Sequence, residues 1–529
     1  MGRTIAESVL VALVATTIAG VLSWPLPIAP AQHVIGASFN DQHSLAWTLQ
    51  WVADRLATGA LPWGHTDAVA WPDGGTLFPA DLLEAALLAP LTWAWGGWVS
   101  LNVLTVLHHG LAAGAGWGWL RTRGAGAAGA TAGALILALA PALVTSSWNG
   151  NPDVTGLAWV LAALWAAEAG HGVAAGVLVG LTAMVNPYPA VMGGVALCAL
   201  LARRPRVLLR AAIPMACGAI AAWSLTTGAL GAPDAMIERA PRDGALMGTA
   251  SLAGFVWPLP EVVPTDPRWD LSHVATGAYL GWAALLAALA ARRDRLLGWS
   301  LVFMGVVAAL GPELRVVSEM VTPSGPQIGP PVLVGTGIPL PWALVESLPG
   351  FEMLHQTARF VTLAAIGLAV LAAAGAAQLG RWRWLVPVAV AADLLILAQG
   401  AAQLQSVPVW DDGACAALAP LEPGPVLDLP PEAHELGLVG ALCHTRPVGA
   451  AINRPLPPAV GERLGPPGPK QARGIMRAAA EADFRWVVHH KSLPDPHLEA
   501  SLTAYSRCRV HDSGDLAVYD MDCLRLDTP

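Results

Sequence analysis

Two aspartates in separate loops are the first residues in this chain that could handle a proton. Asp41 stands in Ser38-Phe39-Asn40-Asp41-Gln42-His43, just after a first apolar run. Asp153 closes Ser146-Ser147-Trp148-Asn149-Gly150-Asn151-Pro152-Asp153, a turn-forming stretch between two later apolar runs. Each has a structural alternative, since an aspartate ahead of a helix caps it by accepting backbone N–H groups. As bases they would take a proton from an attacking hydroxyl, with partial desolvation raising their pKa toward a useful range. The cations that could face them stand together further on. Glu313 and Arg315 end one apolar run, and Leu348-Pro349-Gly350-Phe351 leads to His355, Arg359 and Phe360 at the start of the next. His355 and Arg359 are four apart, which on a helix is one face, and a guanidinium fork suits the oxygens of a phosphate. An arginine there could equally snorkel to the bilayer surface.

Other candidates are weaker. The neighbours His108 and His109 project about 100° apart on a helix, unlike the i, i+4 pairs that grip a metal, and read as polar contacts between helices. His489 and His490 fall in a strand and would face opposite sides. The chain contains no Walker loop, HExxH, CxxC or nucleophile elbow. Four of six cysteines, Cys415, Cys443, Cys508 and Cys523, fall in the last quarter, an even set suited to an oxidising compartment. Sequence-local pairing joins Cys415 to Cys443 and Cys508 to Cys523, one of three connectivities.

The elements that must position these groups belong in a bilayer. Of 529 residues 55% are hydrophobic and 12% charged, with a mean hydropathy of +0.53, too apolar for a soluble protein of this length. A net charge of −8 without a long basic tract excludes a nucleic-acid surface. Arg3 precedes an apolar run from about 8 to 28, read as an uncleaved first helix. Further runs lie near 99–120, 125–144, 154–168, 172–185, 188–201, 209–228, 271–291, 297–312, 360–379 and 385–402, giving about 11 transmembrane helices. Asn186-Pro187-Tyr188-Pro189 must divide 172–202 into two helices. Only then do Arg121 and Arg123, the cluster from Arg203 to Arg210, Arg292 to Arg295, and Arg381 with Arg383 share the side of Arg3. That side is expected to be cytoplasmic, with long external loops at 29–98, 229–270 and 313–359. Leu45 to Leu56, with Trp47 and Trp51 one turn apart, reads as an interfacial helix, and 82–98 as a segment that dips into the interface. Residues 1–402 form the membrane domain on this reading. Residues 403–529, with strands expected at Phe484–Val488 and Asp515–Tyr519, form a small extracytoplasmic α/β domain.

These features together resemble the polytopic membrane glycosyltransferases of the GT-C class, bacterial enzymes that use polyprenyl-phosphate sugars. The resemblance is carried by Phe39-Asn40-Asp41, Trp47 to Trp51, Trp71-Pro72-Asp73-Gly74-Gly75, Asn151-Pro152-Asp153, and Leu348 to Phe351 through Arg359-Phe360. It extends to the C-terminal Phe484 to His490 and Asp515 to Tyr519. It implies a GT-C-like fold in the bacterial inner membrane, with Asp41 as base or acceptor-orienting group and Asp153 as the second-loop carboxylate. Arg359, assisted by His355 or Arg315 with Glu313 as an accessory, would hold the lipid phosphate. Neither loop has an Asp-x-Asp pair, so a divalent metal is not implied with any force. The expected partners are a polyprenyl-phosphate sugar donor, membrane lipids, and an extracytoplasmic lipid, glycan or protein acceptor. A transporter or flippase of lipid-linked glycan would instead distribute polar groups through its spans. A non-catalytic scaffold would lack converging carboxylate and basic groups.

Overall fold

A computed structural model describes residues 2–36, 41–77, 81–148, 156–202, 204–230, 249–258, 261–266, 271–316, 320–321, 332–333, 336–348, 351, 354, 356–397, 404, 406–409, 413–430, 434–450, 469–493 and 495–525. The first nine helices are α1 (Gly2–Leu22), α2 (Gln42–Ala57), α3 (Leu82–Thr122), α4 (Ala127–Leu139), α5 (Pro141–Trp148), α6 (Gly156–Glu168), α7 (Gly172–Thr182), α8 (Pro187–Leu201) and α9 (Pro205–Leu230). Later apolar helices span Trp282–Ala290, Arg295–Ala309, Val361–Ala376 and Leu385–Ala392. Among the described residues Gly2–Leu22, Ala127–Ser147, Pro205–Leu225 and Thr357–Trp382 are long and apolar enough to cross a membrane. The first and third have windows only 11% buried in protein, which gives them the lipid-facing positions.

The bundle is built around Val361–Ala376, nearly every residue of which is buried. Its sequence is alanine-rich, and small residues on its neighbours let backbones approach closely. A Cβ on Gly305 would stand 2.4 Å from the Ala364 nitrogen, and one on Gly298 2.4 Å from Leu371 Cγ. Asp393, 5% exposed within the last apolar helix, is matched rather than stranded. Its carboxylate accepts from Tyr279 Oη (2.7 Å) and from the Ala283 N–H (2.7 Å) at the start of Trp282–Ala290.

One end of the bundle gathers arginines. Arg123 bridges Glu168 (2.5 Å) and Asp294 (2.6 Å), Arg204 also reaches Glu168 (3.0 Å), and Arg121 meets Glu7 of α1 (3.6 Å). This is the shared end that the charge pattern requires. The break that makes it possible is real: α7 stops at Thr182, and α8 starts at Pro187 with Asn186 accepting from the Tyr188 N–H (2.9 Å).

Two expectations, for 271–291 and for Trp47 with Trp51, are corrected by the packing, and the helix bounds of 82–98 are also set by it. The run at 271–291 is mostly not helix, because Leu271–Thr276 pairs as a strand with Glu261–Asp266 and only the nine residues Trp282–Ala290 are helical. Segment 82–98 is the first part of α3, which turns at Gly96 (φ 84°), a conformation open to glycine. Beyond the turn Gly97 lies so close to α2 that a Cβ would meet the Ala46 carbonyl at 2.3 Å. Finally, Trp47 and Trp51 do not face the bilayer. They stack at 5.4 Å, and Trp47, 5% exposed, shares a core with Leu438, Trp486 and Val518.

That core belongs to a four-stranded sheet ordered Arg509–Asp512, Leu516–Asp520, Trp486–His490, Val426–Leu429, whose last two strands run parallel. Ala68 to Trp71 lie against it through Ala70 N–H to Ala450 O (2.7 Å) and Trp71 N–H to Val448 O (3.1 Å). The strand His33–Ile35 pairs with Ser406–Pro408. Disulfides join Cys415 to Cys443 and Cys508 to Cys523. His489 and His490 are both buried, and His490 Nε2 meets Asp428 Oδ1 at 2.9 Å on the neighbouring parallel strand.

Two predictions follow from this packing. Gly305→Leu forces apart two backbones that cannot yield, and should cost about 1–3 kcal/mol, read as a lower unfolding temperature of the purified full chain. Burial, reinforced by His490 and Lys491 and opposed by Asp495, holds His489 down to about 4. His444 is likewise lowered to about 4, by burial opposed by Asp428 and aided by Arg446. With folded values below the ordinary 6.5, the unfolded chain binds more protons between the two. Unfolding temperature should therefore be flat above pH 6.5 and fall as the pH drops toward 4, and His444→Gln should shallow that slope.

Candidate active site

At the end of the bundle opposite the arginine cluster, three charged residues from distant parts of the chain meet. Arg359 lies in the 3-10 turn Thr357–Phe360 that opens the central helix. Asp41 precedes α2 and Asp81 precedes α3, and both act on Arg359 electrostatically. A guanidinium at the mouth of a buried apolar helix needs such compensation, because an uncompensated charge at low dielectric is costly.

Tyr188 fixes the cation. Arg359 Cζ stands 4.9 Å from the centre of the Tyr188 ring, a cation–π distance, and the Tyr188 hydroxyl accepts the Gln356 N–H at 2.7 Å. Phe360 packs between Tyr188 (5.9 Å) and Trp342 (4.8 Å), which leaves the turn little freedom. Tyr188 is itself placed by the Asn186 cap on α8. The residues just before that cap hold Asp81, whose N–H donates to Val185 O (3.0 Å) while the Leu83 N–H donates to Met184 O (3.4 Å). The break between α7 and α8 thus touches both an acid and the base of the cation.

Asp81 is fully buried and adopts φ 55°, ψ 31°, a left-handed conformation that costs most residues about 1–2 kcal/mol. Its side chain makes no capping bond to α3. Asp41 makes none to α2 either, so the capping alternative does not describe it. Its carbonyl, by contrast, accepts from Ser44 Oγ (2.9 Å) and the Leu45 N–H (2.9 Å), which anchors the backbone.

One turn beyond Asp81, Glu84 is 3% exposed, receives Trp159 Nε1–H at 2.9 Å and meets His108 Nε2 at 3.0 Å. His109 bonds Ala138 O (2.7 Å) and Ser147 Oγ (3.1 Å), an interhelical polar contact as its sequence setting suggests. Glu84, His108 and Ser8 border a cavity of about 440 Å³ whose walls are mostly apolar, with Leu87, Leu104, Leu107 and Leu111 among them.

The remaining sequence candidates have different fates. Asp153 and His355 lie outside the described residues. Arg315 is 1% exposed, and its Nη1 donates to Thr249 O (2.9 Å) and Thr249 Oγ1 (2.9 Å), tying 249–253 to the end of Arg295–Ala309. Glu313 pairs through its backbone with Pro339. Asp81 escaped the sequence reading. Its only signal is an acid directly ahead of the apolar run Leu82-Leu83, in the same loop as Asp41. Among the described residues no three His, Cys, Asp or Glu side chains gather as metal ligands would.

No protein-family model and no curated protein sequence matches the chain. Solved structures do. The arabinofuranosyltransferase AftD from mycobacteria superimposes with a TM-score of 0.57 at 15% identity, over 98% of this chain and 40% of AftD. The apo oligosaccharyltransferase of Archaeoglobus fulgidus superimposes with a TM-score of 0.50 at 12% identity, over 92% of this chain and 69% of its own. This chain thus spans about two fifths of the length of AftD. Likeness at such identity is likeness of fold. Both neighbours are GT-C glycosyltransferases, and the chain has the fold of that class.

Proposed function

We propose that the chain is a membrane glycosyltransferase that moves a sugar from a polyprenyl-phosphate donor to an extracytoplasmic lipid, glycan or protein. The convergence of Asp41, Asp81 and Arg359 at one end of an apolar bundle carries this reading. The fold shared with AftD and the oligosaccharyltransferase supports it. In this reading the bundle crosses the inner membrane about 11 times. The arginine end is cytoplasmic, as positive residues favour, and the Asp41 end is outside, together with 403–529 as an α/β domain.

The reaction is a direct displacement at the anomeric carbon. The acceptor oxygen forms a bond to that carbon as the bond to the phosphate oxygen breaks. The acceptor proton passes to the Asp41 carboxylate, and the electron pair of the broken bond leaves with the polyprenyl phosphate. Arg359 stabilises the charge that grows on the departing phosphate. Asp81 keeps the guanidinium turned toward that oxygen, and Tyr188 holds it from the opposite face. The 440 Å³ apolar cavity beside Glu84 suits an isoprenoid chain entering from the bilayer. Arg315, committed to Thr249, supports the site's wall rather than the phosphate, whereas Asp153 and His355 stay in the proposed set.

The test is transfer from labelled polyprenyl-phosphate sugars by the full chain in liposomes. Asp41→Asn is expected to lower turnover at least ~100-fold, the lower end for loss of a general base. Arg359→Gln should cost about 100-fold or more, and Arg359→Lys should recover only part, since an ammonium lacks the fork. Asp81→Asn should fold normally, because asparagine tolerates the left-handed region, yet lose transfer, whereas Asp81→Leu should also lose about 1–2 kcal/mol of stability. Wild-type transfer that survives Asp41→Asn and Arg359→Gln would sink the assignment. Absence of transfer together with wild-type lipid translocation would turn the reading toward a flippase.

A further inference from the structure

The arginine end holds a second cavity, of about 420 Å³, between the start of α4 and the turn Ala377–Trp382 that follows the central helix. Its walls are nearly bare backbone, formed by Gly126, Gly129 and Ala376, and its rim carries Arg381, Arg383 and Trp384. Gly380 (φ 52°, ψ −118°) makes the chain reverse there, a conformation suited to glycine, and this brings both arginines round to the opening.

Charge marks this place off from the ion pairs nearby. Arg121, Arg123 and Arg204 are each ion-paired with Glu7, Glu168 or Asp294. Arg381 and Arg383 are exposed, and among the described residues neither has a carboxylate partner; Arg381 rests on the Trp382 ring at 5.1 Å. Two adjacent guanidiniums over a cavity without acids leave a local positive charge that an anion would neutralise.

Depth says which anion. The sixteen residues Val361–Ala376 separate this turn from Arg359, about 24 Å along a helix, against a hydrocarbon core near 30 Å. The opening therefore lies where hydrocarbon gives way to head groups, at the face opposite Asp41. Trp382 and Trp384 are 56% and 50% exposed there, the position indoles take at an interface, and Leu385 and Val388 continue as an exposed apolar surface below them. A soluble phosphate would satisfy the arginines but leave the alanine-lined floor and this apolar flank uncovered. A phospholipid covers both, with its phosphate at the rim and its chains along the helix.

We propose that this cavity binds the phosphate of an anionic phospholipid from the leaflet at the arginine end. The site is independent of sugar transfer, since it lies on the other face from Asp41, Asp81 and Arg359. The lipid links α4 to the turn between the last two apolar helices.

The test uses the full chain in phosphatidylcholine vesicles with and without phosphatidylglycerol, with retained phosphatidylglycerol counted by native mass spectrometry after extraction. The Arg381→Gln, Arg383→Gln double variant should lower retention roughly tenfold. Gly126→Trp keeps both charges but fills the opening. Gly126 has an ordinary extended backbone, and a Cβ there meets nothing within 4 Å, so the variant should fold and still lose the lipid. Arg206→Gln removes an exposed arginine that does not line the cavity and should leave retention unchanged. Equal retention in wild type and both cavity variants would overturn the proposal. So would an equal loss in Arg206→Gln, which would make the effect one of overall charge. Displacement of phosphatidylglycerol by glycerol 3-phosphate as readily as by the lipid itself would overturn the lipid in favour of a soluble anion.

Discussion

A guanidinium at the entrance of a buried apolar helix is the constraint from which much of this molecule follows. Arg359 continues directly into Val361–Ala376, the most enclosed helix in the bundle, so its charge cannot be dispersed into water along most of its surroundings. The protein answers with carboxylates ahead of two different helices and with an aromatic face. Each of these must be delivered by a different element. Asp41 is delivered by α2, Asp81 by α3, and Tyr188 by α8. Reaching a common point from three elements demands breaks in otherwise continuous helices, and these fall at Asn186-Pro187 and at Gly96. The former seats Tyr188 and, through Val185 and Met184, the backbone around Asp81. The latter folds the first part of α3 back over α2.

The C-terminal sheet extends the same logic away from the bilayer. Strand Ser406–Pro408 pairs with His33–Ile35, Ala68 to Trp71 dock on the sheet's edge, and α2 buries Trp47 in the sheet's core. The loop carrying Asp41 is thereby held between the bundle and the sheet. A helix placed on a lipid surface would be free to tilt. One whose apolar face is closed by a folded unit, with two disulfides in it, keeps the residue at its N-terminus in a fixed place. The sheet is thus part of the machinery that positions Asp41, even though it contributes none of the three converging charges.

How much of this could be read beforehand depended on range. Charge counted along the chain was sufficient to gather Arg121, Arg123 and Arg204 at one end and to require the break at Asn186-Pro187, because both are consequences of a period and a solvent. Asp41 and Arg359 were legible as an acid and a cation beside apolar runs. Asp81 was not, because its significance rests on a left-handed backbone and on a hydrogen bond to Val185, more than a hundred residues away. Trp47 and Trp51 were read one step too simply. Their spacing fixed a common helical face, but bilayer and folded sheet are both apolar, and periodicity cannot tell one nonpolar solvent from another. His490 was discounted for the same reason: its partner Asp428 lies 62 residues earlier, on a parallel strand that only the sheet order brings alongside.

The two ends of the central helix impose opposite electrostatic problems, and the structure solves them differently. At one end Arg359 stands beside Asp41 and Asp81 and against the Tyr188 ring. At the other end Arg121, Arg123 and Arg204 have acids, and those pairs tie α1, α3, α6 and the start of Arg295–Ala309 together. Fixed ion pairs make a rigid base. Partly desolvated pairs with several hydrogen bonds lock geometry, at a desolvation cost that fully exposed pairs avoid. Ion pairs thus fix the base of the bundle, whereas around Tyr188 a ring face as well as carboxylates holds the cation in place.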